Sequence, residues 1–261
     1  MKGQVSSKDG TRIAYEREGD GPPLILVHGT GGAATRWAPL IPVLGKKFSV
    51  YTIDRRGRRD SGDTEPYAAE REFEDIAAVA EAAGEPAYLL GHSYGGFCAL
   101  GAALISRRIS KLILYEPPIP LPGVQILPDG LVERYEAMLA AGDREGVLRT
   151  FLREVVRVPD NEIEAMRALP AWEARLTAAH TLPRELRMHV YYRFDMAQIA
   201  KLDIPVLLML GGDSPGFFRA RIDALDQAMP DSRIVVLPGQ GHSAMDSAPE
   251  LFVREVEAFL G

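Results

Sequence analysis

The sequence predicts an α/β domain, a mostly parallel central sheet flanked by helices and interrupted by a helical insertion. Three observations carry this reading. Short continuous apolar runs alternate with helical patterns over residues 23–115, the pattern of parallel strands covered on both faces. The alternation stops at Glu116-Pro117-Pro118 and resumes near Pro205, with helical patterns alone in between. Finally, Tyr88-Leu89-Leu90 runs directly into Gly91-His92-Ser93-Tyr94-Gly95, and a helical pattern then continues to about residue 106.

Residues 11–16 alternate polar and apolar until Gly19-Asp20-Gly21-Pro22-Pro23 breaks the pattern, which predicts a short antiparallel edge strand. Residues 23–27 and 48–53 read as buried strands, and 34–44 as a helix interrupted by prolines. Residues 70–83, rich in Ala and Glu and closed by Gly84, form a helix with its stop signal. Strands follow at 88–90 and 111–115. Prolines recur to Pro128, and residues 131–141, 144–158, 162–168, 171–181 and 184–192 then carry helical patterns. Gly142-Asp143 and Pro159-Asp160-Asn161 supply stop and cap chemistry between them. Strand 205–210, helix 217–229, strand 233–237 and helix 249–260 complete the chain. The implied organisation is a sheet core of residues 1–117 and 201–261, with residues 118–200 inserted as a helical unit of ordinary subdomain size.

With 261 residues, 46% of them hydrophobic and 25% charged, the chain can bury a substantial core and reads as a soluble protein. A net charge of −6 leaves no electrostatic footprint for nucleic acid. The basic cluster Arg55-Arg56-Gly57-Arg58-Arg59 is offset by Asp54, Asp60 and Asp63 and reads as a solvated loop. No apolar run approaches the roughly 20 residues of a membrane span, and the N-terminus has no apolar leader core, so a cytoplasmic location without membrane contact is expected. The lone cysteine, Cys98, excludes an internal disulfide, fits a reducing compartment and reads as a buried structural thiol.

The stretch Gly91 to Gly95 has the form G-x-S-x-G between a strand and a helix. A chain that reverses in one sharp turn strains its apex residue, and the flanking positions must lack side chains so that strand and helix can approach. Ser93 is that apex, and the turn leaves the Tyr94 amide facing the same space. A serine hydroxyl is a weak nucleophile; it needs a base and oxyanion donors. Of five histidines, His180 and His189 sit in helical patterns of the insertion, whereas His28 and His92 belong to turns. His242, in Pro238-Gly239-Gln240-Gly241-His242, follows the last strand and so reaches the sheet edge where ligands bind in open α/β folds. It is the expected base. The loop His28-Gly29-Thr30-Gly31-Gly32 supplies the second oxyanion donor, an amide near Thr30, and lacks the lysine signature of a phosphate loop.

Together the HGTGG loop, the stretch from Asp54 to Gly62, the GHSYGG elbow and the terminal GQGH resemble the α/β-hydrolase superfamily. More narrowly they are similar to its capped, cofactor-free serine esterase and lactonase-like branch, with the insertion corresponding to that family's variable cap. One departure is Arg59, where many relatives carry glycine. The resemblance leaves two candidates for the triad acid. Most of the family places it after the strand that follows the cap, in a G-D-x-D pattern; here the segment reads Gly211-Gly212-Asp213-Ser214-Pro215, with Pro215 at the acid's place. Some relatives carry a glutamate directly after the strand before the cap, and this chain has Glu116 there. Glu116 is preferred, with Asp213 the alternative.

The expectation is thus a serine hydrolase for a small-molecule ester or lactone. Ser93 is its nucleophile, His242 its base and Glu116 its acid, with Thr30 and Tyr94 as oxyanion donors and no metal or organic cofactor. Trp37, Trp172, Phe217 and Met245 are candidate pocket walls. A serine at the elbow argues against haloalkane dehalogenase and epoxide hydrolase chemistry, which uses aspartate there. The same residues also suit carbon–carbon bond hydrolysis or lyase and cyclase chemistry; a small-molecule receptor fits them least. A homodimer is compatible with the sequence.

Overall fold

The computed structural model describes residues 1–121, 127–168 and 171–261. Eight strands form one sheet in the order β1-β2-β4-β3-β5-β6-β7-β8. They are β1 Lys2–Ser6, β2 Arg12–Glu18, β3 Pro23–Val27, β4 Ser49–Ile53, β5 Ala87–His92, β6 Ile109–Tyr115, β7 Val206–Gly211 and β8 Ser232–Leu237. β2 runs antiparallel to both β1 and β4, and every other pairing is parallel. Between β3 and β5 lie α1 (Ile41–Leu44) and α2 (Ala69–Ala82), and α3 (Tyr94–Ile105) follows β5. The segment between β6 and β7 holds α4 Leu131–Ala140, α5 Arg144–Thr150, α6 Asp160–Arg167, α7 Ala171–Thr177, α8 Leu182–Tyr191 and α9 Met196–Ile199. Helices α10 (Gly216–Ala228), α11 (Ala244–Ser247) and α12 (Pro249–Leu260) complete the chain. Among the described residues no helix is long and apolar enough to cross a membrane.

Successive strand residues point to opposite faces, and the core divides accordingly. Ile25, Val27, Leu89, Leu112, Leu114 and Leu208 join one apolar cluster with α2 and α3. Their neighbours Leu24, Leu26, Leu90, Ile113, Leu207 and Met209 join another, closed by α12. This is why the strands read as continuous apolar runs. A third cluster, including Leu131, Tyr135, Leu148, Phe151, Leu182 and Leu186, comes wholly from the segment between β6 and β7. That segment therefore has a core of its own.

Three local departures from the sequence reading have physical causes. β1 carries no apolar pattern, since it is held by backbone pairing with β2 and its residues are exposed or half-buried. Residues 34–44 form a 3-10 turn, Ala34–Trp37, and the short α1, because Pro39 and Pro42 lack the amide a continuous helix needs. Residues 144–158 are not one α-helix: α5 continues as a π-helical turn, Phe151–Val156, which ends at Arg157 with φ +68°.

Candidate active site

Because β3, β5, β6, β7 and β8 are parallel, the residues just beyond their C-terminal ends gather on one edge. Ser93 follows β5 with φ 53° and ψ −128°, a left-handed conformation strained for a residue with a side chain. Its amide donates to Tyr115 O at 2.9 Å, which locks the turn to the neighbouring strand. A Cβ on Gly91 would lie 2.4 Å from Gly95 O, and one on Gly95 2.2 Å from Val27 O. Both positions thus require glycine for close backbone approach.

Glu116 follows β6, also at positive φ (46°), and is fully buried. Its Oε1 accepts from the Gly211 amide at 2.7 Å, and its Oε2 lies 2.5 Å from His242 Nδ1. A carboxylate accepts only, so Nδ1 donates and Nε2 keeps a free lone pair. The imidazole is held on its other sides as well. Phe218 stacks on it at 4.7 Å between centroids, and the His92 Nε2–H donates to the His242 carbonyl at 2.8 Å. Tyr115 Oη donates to Gly241 O and accepts from the Ala244 amide at 3.3 Å, bracketing the loop. Asp213 is exposed; its amide donates to Gln240 O at 2.9 Å, and among the described residues its carboxylate has no partner.

Ser93, His242 and Thr30 line one cavity of about 330 Å³. The loop carrying Thr30 packs against the serine, since a Cβ on Gly29 would lie 3.0 Å from Ser93 Cβ. Tyr94 is the first residue of α3, where an amide has no acceptor within the helix. His28 closes the loop from below: Nδ1 donates to Gly29 O at 2.9 Å and Nε2 accepts from the Arg55 amide at 3.4 Å. Burial, then Arg55 and Arg58, push its pKa well down, so His28 is neutral and structural. His92 is likewise neutral, through burial and then the neighbouring His242 and Arg36. Burial drives His189 to about 3, and burial pushes the Cys98 thiol up and leaves it unreactive.

The far wall of the cavity belongs to the segment between β6 and β7, through Leu148, Phe151, Leu152 and Val158. The wall residues expected from sequence lie elsewhere. Trp37 and Met245 are fully buried in the core cluster beneath α12, and Trp172 in the cluster of the inserted segment, because large apolar groups gain most from complete burial. Phe217 is 42% exposed and packs on the Arg221 guanidinium, leaving its neighbour Phe218 to cover His242.

The basic stretch after β4 also corrects the sequence reading. Arg55, Arg56 and Arg58 are buried, not solvated. Arg55 makes a bidentate pair with Glu72 at 2.9 and 2.7 Å and a further bond to Glu185 at 2.8 Å. Arg58 also reaches Glu185, and donates to Thr181 Oγ1 at 2.9 Å. Arg56 holds Asp75 at 2.7 Å with two bonds. Although Glu185 is fully buried, Arg55 and Arg58 hold its carboxyl well below the usual range. The network joins the loop under the site to α8. Its one sequence signal is Glu72 and Asp75 flanking Phe73 and Ile76 on the inner face of α2.

Residues 24–255 match the Alpha/beta hydrolase family. An alpha/beta hydrolase from Sphaerobacter thermophilus is 38% identical, covering 96% of this chain and 100% of its own, with a TM-score of 0.83. A pimeloyl-[acyl-carrier protein] methyl ester esterase from Aeromonas hydrophila subsp. hydrophila is 28% identical over 95% of this chain and 99% of its own. The N-formylmaleamate deformylase of Pseudomonas putida is 29% identical over 92% and 89%. With its sheet order, its strand-to-helix elbow and a match across most of its length, this chain belongs to the alpha/beta hydrolase family.

Proposed function

We propose that the protein hydrolyses a carboxylic ester or lactone through an acyl-enzyme on Ser93. The observation that carries this is the buried Glu116 carboxylate at 2.5 Å from His242 Nδ1, beside a cavity shared by His242 and the strained Ser93. His242 Nε2 takes the Ser93 proton as Oγ attacks the carbonyl carbon, and the Thr30 and Tyr94 amides receive the oxyanion. Collapse of the tetrahedral intermediate breaks the acyl–oxygen bond, and His242 returns the proton to the leaving alkoxide. Water then attacks the acyl group by the same route, releasing the carboxylic acid and restoring the Ser93 hydroxyl. Glu116 orients the ring and stabilises its cation. The inserted segment acts as a cap, selecting the acyl chain through Leu148, Phe151 and Leu152.

The esterase and deformylase relatives support hydrolysis at a carbonyl centre. The test is turnover of p-nitrophenyl acyl esters of increasing length, with fluorophosphonate labelling located by mass spectrometry. Turnover with the label on Ser93 is expected. Near-wild-type turnover by Ser93→Ala would remove the mechanism, and labelling without ester turnover would point to other chemistry on the same residues.

A further inference from the structure

The cavity above Ser93 is lined by a guanidinium that has no ion-pair partner among the described residues. Arg36 and Arg175 both line it. Arg36 is neutralised, with Nη2 2.8 Å from Asp246 Oδ2 and 3.0 Å from Ser243 Oγ. Arg175 differs: among the described residues it forms no ion pair, and Nη1 reaches only the Met166 thioether, at 3.8 Å. A thioether is a weak acceptor. The remaining acid on the wall, Glu162, is exposed on α6 and screened by water. Burial, then the nearby Arg36, work against the Arg175 charge, and Asp246, already paired with Arg36, supports it only through space; a guanidinium keeps its proton at any ordinary pH. A half-buried guanidinium that makes no direct ion pair in a concave site is costly unless something completes it, and a carboxylate matches its planar fork. Phe151, Leu152 and Met166, which line the same cavity, are apolar and suit a hydrocarbon tether.

We propose that Arg175 is a specificity residue that receives the free carboxylate of a half-ester of a dicarboxylic acid, whose ester carbonyl is presented to Ser93. The proposal rests on the hydrolase reading above, and its test separates the two.

The probes are p-nitrophenyl hemiesters of succinate through pimelate, each paired with the neutral p-nitrophenyl alkanoate of equal length. At one tether length the wild type should favour the hemiester by at least about tenfold in kcat/KM, expressed in KM. Arg175→Gln should erase that preference while leaving neutral esters within about twofold, and Arg175→Lys should restore part of it. Absence of preference at every length, or an equal loss on both series, overturns the proposal. Calorimetric titration of glutarate, adipate and pimelate into Ser93→Ala, with and without Arg175→Gln, reads the anion site without chemistry. Arg175-dependent binding supports the site even where no ester turns over, which would fault the hydrolase reading alone. Equal binding or none in the two variants counts against the site even where neutral esters are cleaved.

Discussion

Replacing Glu116 with Gln tests the hold of the buried carboxylate on the imidazole at nearly constant shape. The carboxylate has two obligations: Oε1 accepts from the Gly211 amide at 2.7 Å and Oε2 from His242 Nδ1 at 2.5 Å. A glutamine has one acceptor oxygen and one donor nitrogen, so it cannot meet both. If its oxygen keeps Gly211, its NH₂ faces Nδ1, the imidazole carries its proton on Nε2, and no lone pair remains for the serine proton. If its oxygen keeps Nδ1, the NH₂ opposes the Gly211 amide in a fully buried place. The first orientation reproduces the wrong-tautomer loss known for a triad acid changed to its amide, about 10⁴-fold in kcat, or roughly 5 kcal/mol of transition-state stabilisation. Because Glu116 is sequestered behind His242, KM should move little. Steady-state kinetics on p-nitrophenyl butyrate, with thermal unfolding to verify folding, measures this. Asp213→Asn is the control and should stay within about twofold, because that carboxylate is exposed and, among the described residues, makes no hydrogen bond to His242. A folded Glu116→Gln within about tenfold of wild type, or an Asp213→Asn loss approaching about 10⁴-fold, would mean that Glu116 is not the acid partner of His242.

Ser93→Ala should lower kcat by roughly 10⁴- to 10⁶-fold and abolish fluorophosphonate labelling, seen by intact mass. Glu185→Gln leaves the buried Arg55 and Arg58 without their shared anion, costing about 3–5 kcal/mol and roughly 10 °C in Tm; scanning calorimetry showing a fall of only about 2 °C would contradict the network's weight. Asp63 is partly buried, which works against its charge, but His180 and Arg184 hold its pKa at about 2, below the unfolded value of 3.8. Its contribution, about 1 kcal/mol after solvent screening, is therefore fully present above pH ~4 and lost as pH falls toward ~2. Urea unfolding of Asp63→Asn should show a shallower stability loss in that window, and an unchanged slope would count against the pair.

The order of strands and helices, the place where alternation is interrupted and the elbow itself were legible because each is a local property. Continuous apolar runs report strands covered on both faces, and Gly91 and Gly95 report backbone contacts within a few residues of Ser93 or directly across the neighbouring strand. The strand ends also brought Ser93, Glu116, Asp213 and His242 to one edge in principle, since parallel neighbours share a direction. Which carboxylate meets the imidazole is a matter of side-chain direction at that edge. The tertiary structure decided it by turning Glu116 inward at positive φ and leaving Asp213 in solvent. The same holds for the arginines after β4. Local acids made them look solvated, but their partners are Glu72 and Asp75 on α2 and Glu185 far along the chain. The pocket wall was the least legible part. A large side chain in a sequence looks the same whether it fills a core, as Trp37 does, or lines a cavity, as Phe151 does, and only packing of the inserted segment on the sheet edge separates the two.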